Sequence, residues 1–348
     1  MKRFTPLPKI TRLRPQRGMT LIELLVAMGL GLIVVVIAGA SLLLGRQGYE
    51  AVDSSTQIRD RQRLAIDLIT RTIVQAGFED YGSATATFRA SAADKALLEP
   101  DMFGWNNAIY SPPGGLLLSS ITSIANGNRP GKCSVNDSSC KNGSDILVVR
   151  YQGVAEPADT NESDNSMLNC GGVGERGLTT NDLNERGVSI FHVATGADGE
   201  PALYCAYYSH KNSGAGWVAS TPLIEGVESF QILYGTDRVT PNMVPVTDDP
   251  AQDSIAERWL RADQLFVPGN DVATRDNWRR VRAVRVGLVL RGPVGSAQQS
   301  ITSTSVPLGS AYADNTNDVG SALAISADRR LRMTSTFTVH VRSDLTTR

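Results

Sequence analysis

The sequence is poor in the residues that carry chemistry. Its three histidines, His192, His210 and His340, stand alone, with no HxxxH or HExxH spacing that would turn two of them toward one zinc ion. The four cysteines include no CxxC pair, which argues against a zinc ribbon or a thioredoxin-type redox motif. Neither a GxSxG elbow nor a glycine-rich phosphate loop occurs, so hydrolytic and nucleotide chemistry have no foothold. The chain is therefore expected to be no enzyme and to need no cofactor. A net charge of -1 excludes a globally basic nucleic-acid binder and leaves only local patches to consider. No tandem repeat is present.

The chain does contain the makings of a fold. With 348 residues, 41% hydrophobic and 20% charged, it can bury a sizeable core as one ordinary domain or two small ones. Lys2, Arg3, Lys9, Arg12, Arg14 and Arg17 precede the first apolar run with no acid among them. Such positive flanks stay in the cytoplasm, so the chain beyond the run faces outward. The run, Met19 to Leu44, carries a single charge, Glu23, and is long enough to span a bilayer. A secretory signal peptide is the alternative, with Leu24 to Ile37 as its apolar region and Ala38-Gly39-Ala40 as the cleavage site. Glu23 opposes that reading, because a carboxylate at the head of an apolar run is costly in lipid and useless to a signal peptide. Gly29, Gly31 and Gly39 are small residues that let membrane helices approach closely.

Gly18-Met19-Thr20-Leu21-Ile22-Glu23-Leu24 resembles the prepilin motif of type IV pilins and of the pseudopilins of type II secretion. In that family a basic leader ends in glycine, a membrane peptidase cuts after it, and the new amino terminus is methylated. The resemblance makes Gly18 the last leader residue, Met19 the methylated first residue and Glu23 the assembly residue at the fifth mature position. Met19 stands where the family more often has phenylalanine, and 18 residues is long for a short leader. The partners implied are the prepilin peptidase, other major and minor pilins, and the inner-membrane assembly platform. The location implied is a single pass through the inner membrane with a periplasmic globular part, then the pilus.

Beyond Leu44 a helix is expected to continue. Ile58, Ala65, Ile69, Ile73 and Ala76 recur at helical spacing, with Arg59, Asp60, Arg63, Asp67 and Arg71 on the other face, and Gly77 ends the run. A coiled coil is the alternative, though no leucine-rich heptad seam is present. Strands are expected at Ile146 to Tyr151, Val188 to Val193, Ala202 to Ser209, Ile224 to Tyr234, Val281 to Arg291 and Met333 to Arg342, with a short helix at Ile255 to Leu265 after a Ser254 cap. The last strand alternates cleanly, so one of its faces is covered and the other wet. Polar stretches at Asn126 to Asn142, Glu156 to Gly177 and Pro293 to Asn317 read as surface insertions. The expected fold is α+β and pilin-like, a long N-terminal helix packed on an antiparallel sheet of about four to six strands. The expected parts are a basic leader (1–18), an apolar half-helix (19–45), an amphipathic half-helix (46–77) and a β-rich periplasmic domain (78–348).

Leu223 to Gly235 and Trp278 to Arg291 resemble the narrower group of large PilW-type minor pilins. That resemblance implies a low-abundance pilus subunit acting in assembly or initiation. A type II secretion pseudopilin is the rival of the same class, and a helix-anchored adhesin or DNA-binding module the rival of another. In an oxidising periplasm the four cysteines are expected as two disulfides, Cys133 with Cys140 and Cys170 with Cys205, the other two connectivities remaining open. Arg275, Arg279, Arg280, Arg282, Arg285 and Arg291 form the densest basic stretch outside the leader; on a strand Arg280 and Arg282 share a face with Val284, Val286, Leu288 and Leu290, so they are expected at its exposed end. Arg279, Arg280 and Arg282 are candidates for a DNA-contact patch, against the plainer reading of ion pairs with local acids or neighbouring subunits; nucleic acid is not the expected partner. Asp159, Asn161, Ser163, Asp164 and Asn165 offer oxygens as a calcium loop does, but lack its turn glycine and closing acid, so an ordinary polar loop is expected and no metal. The histidines are expected on strand surfaces.

Overall fold

The computed structural model describes residues 18–80, 98–110, 130–134, 140–177, 186–209, 216–246, 255–297, 299–314 and 316–341. Residues 1–17 of the basic leader, His210, Ser254 and Arg342 lie outside the described residues. The chain divides into two units, residues 1–52 and 53–348.

In the first unit, α1 begins at Leu21; the helix as a whole runs Leu21–Val74. Every residue from Gly18 to Glu50 is exposed, and the helix is long and apolar enough to cross a membrane. A helix apolar all round in this way needs lipid or other helices as its surroundings.

In the second unit the pattern of α1 changes to one-sided. Ser54, Ile58, Ala65, Ile69, Thr72 and Ile73 are buried, while Arg59, Asp60, Arg63, Asp67 and Arg71 lie on the less buried side. Ile58, Ala65, Ile69 and Ile73 join the main core, as the helical stripe in the sequence requires. Gly77, at φ 67°, takes the left-handed conformation and its N–H donates to the Arg150 carbonyl, which turns the chain away from the helix.

The strands that come after it are β1 (Met102–Trp105), β2 (Ile146–Tyr151), β3 (Ala155–Glu156), β4 (Asp159–Ser163), β5 (Gly187–Thr195), β6 (Pro201–Ser209), β7 (Gly216–Glu225), β8 (Val227–Thr236) and β9 (Arg258–Leu260). Helices α2 (Ala262–Leu265) and α3 (Asp271–Arg279) come next, then β10 (Val281–Arg291), β11 (Ser303–Ser305), β12 (Leu323–Ile325) and β13 (Arg332–His340). The fold is α+β with antiparallel pairing, but it has two main sheets where one was expected: β1-β2-β5-β6-β7 and β13-β10-β8-β9. The expected strand Ile224 to Tyr234 is in fact the end of β7 and most of β8. Gly226, at φ 84°, breaks the run, and its two sides belong to different sheets. The expected helix Ile255 to Leu265 is only the one turn of α2, preceded by the short strand β9.

Candidate functional site

At its amino end α1 is closed by a capping box. The Glu23 N–H donates to Thr20 Oγ1 at 3.4 Å, and the Thr20 N–H donates to Glu23 Oε2 at 3.2 Å. Sequence reading missed this, although Thr20-Leu21-Ile22-Glu23 carries the T-x-x-E signature. The carboxylate thus lies at the positive end of the helix dipole, which stabilises it there. Gly18, Met19 and Glu23 are all exposed on one stretch of chain.

The arginine-rich stretch does not form a patch. Its first part is helix α3, capped by Asn270, whose side chain accepts from the Ala273 N–H. Arg275 pairs with Glu99 at 2.9 Å. Arg279 pairs with Asp276 at 2.8 Å and donates to the Leu98 carbonyl, and Arg280 donates to the Val246 carbonyl. Arg282, expected at an exposed end of its strand, is 4% exposed and faces Asp237 at 3.6 Å. The reason is a β-bulge: Val281 opposes Thr236 and Ala283 opposes Gly235, so Arg282 is the extra residue and leaves the alternation on which the expectation rested. Arg285 lies over the Trp259 ring at 4.2 Å. These cations serve the domain's own acids, carbonyls and rings.

A second ionic cluster ties the two sheets. Glu200, just before β6, takes Arg291 and Arg330; Glu228, at the start of β8, takes Arg291 at 3.4 Å and Arg332 at 2.7 Å; Asp328 takes Arg332 at 2.7 Å. Hydrogen bonds from Arg330 hold the Glu200 carboxyl below the usual range, and those from Arg332 do the same for Asp328.

His192 departs from its expected place on a strand surface. It lies on β5, between β2 and β6 in the first sheet, and is 4% exposed. Its ring stacks between Tyr110 at 4.0 Å and Tyr204 at 5.5 Å, and Nε2 is 2.7 Å from Ser220 Oγ. Burial pushes its pKa down to about 3 against a weaker opposing backbone hydrogen bond, and burial pushes Tyr110 up to about 12. His340 is exposed on β13. The cysteines form two disulfides, Cys133–Cys140 and Cys170–Cys205, with Cα separations of 5.9 and 6.0 Å. In the calcium-like stretch, Asp159–Ser163 forms strand β4, and Asp164 Oδ1 accepts from the Ser166 N–H and hydroxyl.

Two family models match the chain: type IV pilus-assembly protein W over residues 190–343, and the prokaryotic N-terminal methylation motif over residues 13–39. Comparison with curated proteins finds no match. Among solved structures the chain is similar to a type IV-like pilin from Thermus thermophilus, at 12% identity and a TM-score of 0.38, covering 82% of this chain and 95% of that one. The methylation match contains Gly18, Met19 and Glu23, and the other runs from β5 through β13. With that motif at its amino end and that domain over its carboxyl part, the chain carries the two sequence signatures of a PilW-type pilin of type IV pili.

Proposed function

We propose that this pilin is a minor subunit that acts in pilus assembly or initiation. Prepilin peptidase cuts between Gly18 and Met19, Met19 is methylated, and the apolar half of α1 holds the subunit in the inner membrane until it joins other pilins at the assembly platform. The observation that carries this reading is the uncovered helix: from Gly18 to Glu50 every residue is exposed, and within its apolar run only Glu23 is charged. In lipid that carboxylate is costly unless paired. A new α-amino group on a neighbouring subunit would relieve both desolvation costs and set the joining register. The work proposed is structural, and no catalytic step is assigned to any residue.

The test is Glu23→Ala in a strain with tagged chain. Expected is a mature chain that still starts at Met19 but is lost from sheared filaments; normal recovery in filaments refutes the pairing role. A mature chain starting at Ser41 would instead make the segment a signal peptide. If deletion blocks protein export and spares twitching motility, the subunit belongs to a secretion filament.

A further inference from the structure

A strand at the edge of a sheet offers unpaired main-chain N–H and C=O groups, and folds blunt such an edge by keeping it short or by placing a proline, a bulge or a charge on it. Three of the four edge strands in the two main sheets are blunted in this way. β1 and β9 have four and three residues, and β7 carries Pro222 and two register shifts against β6. β13 is different: it has nine residues, Arg332–His340, contains no proline, and pairs with β10 without a register shift.

The ladder shows which of its groups are spare. The Gly292 N–H donates to the Leu331 carbonyl at 2.8 Å, and the Val341 N–H donates to the Arg282 carbonyl at 2.9 Å. The register between those bonds is unbroken, so the odd-numbered residues bond inward to β10, and Arg332, Thr334, Thr336, Thr338 and His340 turn their main-chain groups outward. Among the described residues nothing hydrogen-bonds to the main chain of Thr334, Thr336, Thr338 or His340. The side chains of these four are exposed, with the hydroxyls of Thr334 and Thr336 held by Ser305 Oγ at 2.7 Å and the Pro307 carbonyl at 2.6 Å. On the other face Met333 and Phe337, with Leu331 and Val341 at either end, pack against the core but are only partly covered. Arg332 is engaged by Glu228 and Asp328, and from Met333 to Val339 the strand carries no charge.

We propose that β13 takes up an extended strand from another pilin subunit, so that the second sheet continues across the joint; this rests on the reading of the chain as a pilus subunit. The main chain sets the class of partner, because donors and acceptors turned outward at every second residue match an extended backbone and no helix. The side chains set its character. The added strand carries apolar residues at alternate positions, which complete the cover of Met333 and Phe337, and neutral β-branched or hydroxyl residues between them, which lie beside the threonines. A charge on its core face would find no counter-charge between Met333 and Val339. A low-abundance subunit meets chains unlike itself in the filament, so the strand comes from a different pilin and not from a second copy.

The test uses tagged full-length chain in its own strain. Thr338→Pro removes an outward N–H that the fold does not use, which an edge strand tolerates. Thr338→Val changes only the side chain, and Thr338→Lys keeps the main chain but sets a charge on the edge. Expected are wild-type and Thr338→Val chains in sheared filaments, with Thr338→Pro and Thr338→Lys depleted by about tenfold or more although the purified proteins melt within about 3 °C of the wild type. Benzoylphenylalanine at position 338 should cross-link to a strand of another pilin, mapped by mass spectrometry. Normal recovery of Thr338→Pro or Thr338→Lys overturns the proposal, as does loss of Thr338→Val, a cross-link to a second copy or to a helix, or no cross-link. Should Thr338→Pro fail to fold, Thr338→Lys decides. Absence of the wild-type chain from filaments refutes the pilus reading itself and the joint with it.

Discussion

Acid should unfold this domain through His192 before it protonates the surface carboxylates. The imidazole is neutral in the fold, with its pKa lowered from 6.5 to about 3 by burial between Tyr110 and Tyr204. An unfolded histidine takes up a proton as pH falls through 6.5, while the folded one does not until about pH 3, so the unfolded state binds more protons throughout that window. Stability is therefore complete above pH 6.5 and is lost as pH drops. At about 1.4 kcal/mol per unit, the loss between pH 6 and pH 4 comes to roughly 2 to 3 kcal/mol from this one group, a large share of a typical domain's stability. His192→Phe keeps an aromatic ring in the stack and removes the titration, but leaves the Ser220 hydroxyl without its partner, so the variant should start about 1 to 3 kcal/mol less stable at pH 7. Urea unfolding monitored by tryptophan fluorescence at half-unit steps from pH 7 to pH 4 gives both curves. Subtracting one from the other cancels the carboxylates, including Glu200 and Asp328, whose lowered values make them fail only at still lower pH. A difference that stays constant across the range refutes the reasoning.

Two substitutions probe the junction of the sheets. Gly226→Val places a branched side chain at φ 84° with its Cβ 2.5 Å from the Arg291 carbonyl, and should cost about 3 kcal/mol in chemical denaturation; a loss within about 0.5 kcal/mol contradicts the geometry. Glu228→Gln removes the charge shared by Arg291 and Arg332, both largely buried, and should cost about 3 kcal/mol, because Arg332 keeps Asp328. An unchanged unfolding midpoint would show the cluster to be inert.

How legible each segment is in the sequence depends on how strongly it is patterned. The second half of α1 repeats its apolar residues over several turns, and its burial tracks that stripe. β2 and β10 are runs rich in β-branched and apolar residues, bounded by polar ones, and their ends fall where the runs end. α3 was missed because it is polar, held by its Asn270 cap, its ion pairs and Trp278 rather than by a stripe. β1 is four residues, one of them glycine. His192 and Arg282 were misplaced for a common reason: alternation assigns a face to a side chain but cannot see that a central strand is covered on both faces, or that a bulge has shifted the count. The motif at Gly18 to Glu23 was legible because it is local.

The topology also fixes an order of folding. β5, β6 and β7 succeed one another as hairpins, so the first sheet can start from contacts close in sequence. The second sheet cannot: β8 waits for β10 beyond two helices, and β10 waits for β13. Low-contact-order pairs form early and distant ones late, which leaves β8 with only the three-residue β9 as a neighbour in the second sheet while the rest of the chain emerges. Its entire length is buried once folding is complete. Loss of residues 332–348 would therefore do more than trim an end: it would strip β10 of one neighbour and expose a sticky half-made sheet.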